Sequence, residues 1–162
     1  MNAKDVLRNT IEMSHMVIQM SVGDLADADL LVRPVAGANH IAWQLGHMIG
    51  GTCHMLSELG HQPPEIPAAI LQAADKDAAT SDDPARFATK AEYLRLSRVV
   101  QAASLAAVDA TPEDALDQPG PPSMRDYAPT VASVLSLLGL HWMMHMGQIT
   151  VVRRKLGKPI IF

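Results

Sequence analysis

The sequence predicts an all-α protein, a four-helix bundle, and three observations carry that reading. Apolar residues recur with helical period along four segments, residues that start or stop helices bound each segment, and no β alternation or internal repeat interrupts them. The 162 residues are 48% hydrophobic and 19% charged, as in an ordinary globular domain. One domain over residues 1–162 is long enough to bury a core without disulfides or metal staples. Only 4% of residues are aromatic, so Leu, Ala, Val and ten methionines must fill that core.

Leu7, Ile11, Ile18, Val22 and Leu25 form the apolar stripe of a first helix, about residues 4 to 22. Asp24 to Pro34 is a connector, with Gly37 and Asn39 as turn residues. Asn39 caps a second helix over roughly 40 to 59, which Gly60 and Pro63-Pro64 stop. From His61 to Asp82, three prolines and an alanine-rich middle predict a crossing connection with one short helix near Ala68 to Ala74. Ser81-Asp82-Asp83-Pro84 places a cap and then a proline in the first turn, which starts a third helix over about 84 to 109. Thr111 to Tyr127 is loop, dense in proline and glycine. The last helix starts near Pro129-Thr130 and ends at Gly157, with Pro159 just beyond.

The formal charge of −4 argues against nucleic acid as the main partner, since phosphate binding needs a concentrated basic surface. Arg153-Arg154-Lys155 with Lys158 is the only basic cluster, and it falls where it complements the dipole of the last helix. A single cysteine, Cys53, excludes an intramolecular disulfide and suits a reducing cytoplasm. Asp5, Arg8 and Glu12 interrupt any signal-peptide core, and no uncharged apolar run approaches membrane-spanning length. A soluble cytoplasmic protein with no membrane partner is expected.

Within the last helix stands HWMMHMGQ, residues 141 to 148, set among Leu138, Leu140, Met143 and Met144. His141 and His145 are one turn apart on the same face, which Val134, Leu138 and Gln148 share and which should look into the bundle. Met143, Met144 and Met146 read as core filler. On the second helix, a wheel centred on His47 puts His40, Trp43, Gly50, Gly51, His54 and Glu58 within about 60° of it. Ile41, Leu45, Met48 and Met55 carry the hydrophobic stripe instead. Two glycines in mid-helix cost about 1 kcal/mol each against alanine, which close approach or free space beside His47 would justify. Cys53 points about 120° away and His54 lies roughly 10 Å from His47, so neither joins it on one ion. Two imidazoles from one helix and a third from a facing helix can hold a divalent ion in a facial array with open positions. Packed, hydrogen-bonded core histidines are the alternative. His15 reads as solvated or supporting, His40 as part of the helix start, and His61 as a loop residue.

Three stretches carry a family resemblance: Asp24-Leu25 through Arg33-Pro34, NHIAWQLGHM at 39 to 48, and HWMMHMGQITVVRRKLG at 141 to 157. With them the chain resembles the DinB-like superfamily nearly end to end. The resemblance implies an up-down-down-up bundle with the long crossover between helices two and three. It also implies a divalent metal, nickel or zinc most often, on His47, His141 and His145. Relatives often carry paired histidines and then a basic residue before Gly-Gln, where this chain has Met144-His145-Met146. If that basic group helps hold an anionic cosubstrate in some relatives, its absence argues against such a cosubstrate here.

The resemblance further implies thiol S-transferase chemistry with a low-molecular-weight thiol, or hydrolysis with water in its place. The connection at 61–82 and the loop at 111–128 would wall the pocket, and His54 or Glu58 would carry the proton. A homodimer is expected on the same ground. A non-enzymatic metal-binding stress-response protein stands as the alternative function, and a metal-free bundle as a third.

Overall fold

Asn2 opens the first helix. Its side chain accepts from the Asp5 amide while the Asp5 carboxylate accepts from the Asn2 amide, both at 2.9 Å, so two end donors are satisfied reciprocally. Helix α1 then runs Ala3–Gly23. The structure is a computed structural model that describes residues 2–161; Met1 and Phe162, the ends of the expected domain, lie outside them. The connector that follows folds into a 3-10 turn at Asp27–Leu31, which buries Leu30.

Helix α2 is Ile41–Glu58, and its cap is His40 rather than the expected Asn39. The His40 Nδ1 accepts from the Trp43 amide at 3.1 Å, and its Nε2 stands 3.0 Å from the Ser81 carbonyl oxygen. An imidazole can cap in this way because one nitrogen accepts while the other donates. Gly60, at φ +78°, ends the helix as expected. The short helix α3, Ala68–Gln72, lies inside the crossover where the alanine-rich stretch placed it.

Helix α4 is Lys90–Ala110 and starts later than the Asp83-Pro84 signal predicts. Asp83 caps only a 3-10 turn at Pro84–Arg86, after which Phe87 is extended (φ −119°, ψ 149°) and sets its ring edge-on to His40. The helix begins from Thr89, whose hydroxyl accepts from the Glu92 amide at 3.3 Å. Helix α5, Val131–Lys155, starts from a similar cap at Thr130 and stops before Gly157 at φ +67°.

Side-chain contacts set the packing. Lys4 and Arg8 reach Asp109, and Gln19 reaches Leu94 and Ser97, so α1 and α4 are antiparallel. Thr10 meets Gly139 and Ser21 meets Arg153, so α1 and α5 run in the same sense. Gln44 faces His145 and Gly51 faces His141, so α2 runs against α5. Both α1 and α2 pack on α4 and on α5. The stripe residues Leu7, Ile11, Ile18, Val22 and Leu25 are buried, as are Ile41, Leu45, Met48 and Met55. No strand occurs among the described residues, and no helix there is long and apolar enough to cross a membrane.

Two expectations for α5 change. Leu140, Met143 and Met144 are exposed (47%, 39% and 59%), so only Met146 of the methionine cluster fills the core. A straight helix touches its neighbours on one side, and these three fall outside that arc. Arg153 is not merely a dipole complement. Its side chain is buried, paired with the Asp24 carboxylate, and donates to the carbonyls of Ser21 and Pro159.

Candidate metal centre

His47 lies mid-helix in α2, and His141 and His145 lie in successive turns of α5. Antiparallel packing of those helices brings the rings together, with centroids 5.1 Å (47–141), 5.2 Å (47–145) and 4.9 Å (141–145) apart. One nitrogen from each ring lies within 4.8 Å of the others, a group that could hold a metal ion. Two nitrogens bound to one ion at about 2.1 Å stand at most about 4.2 Å apart, so small ring movements close the set.

Each ring is oriented by a neighbour. The His145 Nδ1 lies 3.1 Å from Gln44 Oε1, and the Gln44 Nε2 donates to the Asn39 carbonyl at 2.9 Å. Since that Oε1 can only accept, His145 carries its proton on Nδ1 and its Nε2 lone pair is free. His47 stacks on Trp43 at 4.9 Å with planes 8° apart, and Trp43 Nε1 donates to the Asp75 carbonyl. His141 rests against Gly51, where a Cβ would stand 3.1 Å from its Cε1. The mid-helix glycine therefore makes room for His141 rather than for His47. Gly50 faces Leu71 instead.

Burial, and then the neighbouring imidazoles, pushes His141 and His145 down to about 4. Burial lowers His47 as well. All three rings are thus neutral near pH 7, the form that ligates a metal. The donor set fits a late first-row divalent ion.

His47 and His141 open into a cavity of about 270 Å³ walled by Gly51, His54, Met55, Met124, Tyr127, Leu137 and Met144. His54, exposed, is therefore on the same wall as the two rings. Glu58 lines a different cleft, with His61 and Arg125, and accepts a hydrogen bond from Ser123. The loop at 111–128 supplies Met124 and Tyr127, whereas the 61–82 crossover packs over Gly46 and Gly50 and lines none of this cavity.

Other expectations need correction. Gln148 is exposed, not turned into the bundle, because α5 has left its neighbours' cover on that side by then. His15 is not solvated: it is 1% exposed, lies 4.2 Å from the Trp142 ring, and has no hydrogen-bond partner on either nitrogen. Cys53 is half-buried, and burial pushes its thiol up. Gln44 went unnoticed in the sequence, although three residues before His47 it falls within about 60° of that ring on the wheel. Met124 and Tyr127 carry no local signal, since only the fold of their loop brings them to the cavity.

Fold and site together define a helical bundle with a histidine group able to hold a metal ion. The chain belongs to the DinB superfamily, whose profile matches residues 10–149, all three histidines included. No curated protein matches it.

Proposed function

We propose that the protein is a metal-dependent transferase that joins a low-molecular-weight thiol to an electrophile, with nickel or zinc held by His47, His141 and His145. The observation that supports this most directly is that two of the three neutral imidazoles, His47 and His141, line an open, mostly apolar cavity. When bound, a divalent ion with open positions would lower the pKa of a thiol or of water, supplying a nucleophile near neutral pH. In the reaction the thiol loses its proton, a sulfur–carbon bond forms, and the displaced group or opened ring takes up a proton. Gln44 and Trp43 hold two of the donor rings, and Met55, Met124, Leu137 and Met144 keep water from the electrophile. His54 lines the same cavity, which supports its role in taking the thiol proton. Hydrolysis is the same arrangement with water as the nucleophile.

A purely structural ion is favoured less, because structural sites are closed by four protein ligands whereas this group has three members. Protein purified without a His-tag should carry about one late first-row ion per chain. It should conjugate monochlorobimane to a small thiol, and His141→Ala should lose both properties. Bound metal without metal-dependent turnover on any of several thiols and electrophiles would leave the non-enzymatic alternative standing.

A further inference from the structure

We infer that the cavity beside His47 and His141 takes a neutral aromatic ligand of one or two fused rings, and that the electrophile of the proposed transfer belongs to this class. The ligand's role as electrophile rests on that proposed reaction, whereas its chemistry rests on the cavity lining alone.

Among the described residues, no Asp, Glu, Lys or Arg lines this cavity. A charged group on the ligand, away from the histidines, would lose its water and find no partner. The neighbouring cleft differs in kind, since Glu58, His61 and Arg125 line it. An apolar lining by itself accepts any hydrocarbon, and the soft side chains are what select an arene. Met55, Met124 and Met144 all line the cavity. A thioether sulfur is polarisable and attracts the edge of an aromatic ring, a contact that a saturated ring cannot reproduce. Tyr127 lines the cavity while 65% exposed, so its ring stands at the rim and offers a π face there. Size follows from volume. A dry cavity of about 150 Å³ holds one benzene ring. At about 270 Å³, this one has room for two fused rings and little more.

The wall that carries Met124 and Tyr127 is built before any ligand arrives. The Gly120 amide donates to the Pro129 carbonyl at 2.9 Å and the Val131 amide to that of Gln118 at 3.0 Å, which closes the neck of the loop. Arg125 donates twice to the Gly120 carbonyl, at 2.8 and 3.1 Å. Ser123 donates to Glu58 and so ties the loop to the end of α2. Met124 is thereby held inward, 2% exposed. A preformed surface loses little freedom when a ligand binds. In the transfer, the thiol sulfur bonds a ring carbon or a carbon attached to the ring. The leaving group departs with the electron pair of its broken bond, and the thiol proton is released to solvent.

Calorimetry on the full chain as purified, with no thiol present, tests the ligand class apart from catalysis. 2-Naphthol should bind with a Kd on the order of 100 µM. Its saturated analogue, decahydro-2-naphthol, and the charged naphthalene-2,6-disulfonate should each bind at least about 10-fold more weakly. Tyr127→Ala should weaken 2-naphthol about 10-fold. Met124→Leu combined with Met144→Leu keeps the bulk but removes the sulfurs. It should cost 2-naphthol about 3- to 10-fold and leave decahydro-2-naphthol unchanged. Met20→Leu, exposed on α1, should alter neither, and helical circular dichroism checks that every variant folds. Equal binding of the saturated analogue, tighter binding of the disulfonate, or no binding of 2-naphthol would overturn the inference. So would folded cavity variants that bind like the wild type. Aromatic selectivity without thiol conjugation would sink the transferase reading and leave the aromatic site standing. Conjugation of monochlorobimane without that selectivity would sink only the aromatic class.

Discussion

At Gln44, one amide decides which nitrogen of His145 is free. Gln44→Leu removes the acceptor for Nδ1–H and leaves the Asn39 carbonyl without its donor. Metal affinity should drop about 10- to 100-fold, measured by competition with a chelating dye, while an unchanged affinity would refute the orienting role. His15 makes a different residue-scale case. Burial takes its pKa to about 4, and the same ring in the unfolded chain titrates near 6.5. Between those values the unfolded chain holds the extra proton, so this contribution is full above about pH 6.5 and is lost as pH falls toward 4. His15→Phe keeps the contact with Trp142 and removes the titration. From pH 7 to pH 5, guanidinium melts of the metal-free wild type should lose about 2 kcal/mol more than those of the variant. Equal losses would mean that His15 is hydrated and not neutral by burial.

At the scale of the helix, two glycines with the same local preference should behave in opposite ways. Gly139→Ala would put a Cβ 3.0 Å from the Thr10 backbone, which cannot yield without moving α1. It should destabilise by about 1–3 kcal/mol. Gly51→Ala meets only the edge of the His141 ring, so the gain in helix propensity of about 1 kcal/mol offsets the crowding. Thermal melts should therefore separate the two, with Gly51→Ala holding its Tm while losing metal affinity. The start of α4 is open to the same kind of test. Thr89→Ala should cost about 1 kcal/mol, and Asp83→Ala, which caps only a 3-10 turn, distinctly less.

For the molecule as a whole, the donors come from two helices that only the folded state brings together, so an ion bound there also stabilises the fold. With free ion at about 100 times Kd, the linkage is about 2.7 kcal/mol, or roughly 5 to 10 °C in Tm for a chain of this length. A chelator should reverse the shift in the wild type and do nothing to His145→Ala. A chelator effect of equal size in that variant would place the ion elsewhere.

Much of this protein was legible one residue at a time. The apolar stripes of α1 and α2, the stops at Gly60 and Gly157, the short helix in the crossover and the shared face of His141 and His145 all follow from helical period and local chain-ending chemistry. Such signals act over one or two turns and so survive in a bare sequence. The start of α4 failed because two caps compete there, and the extended backbone at Phe87, packed against His40, favours Thr89. Tertiary packing alone decided that His15 is buried, that Met143 and Met144 face out, and that Gln44 rather than Gln148 supports the site. It also brought Met124 and Tyr127 to the cavity. Helical period says which residues share a face; how much of that face a neighbour covers depends on where the helices cross, and that is set by contacts between residues far apart in the chain.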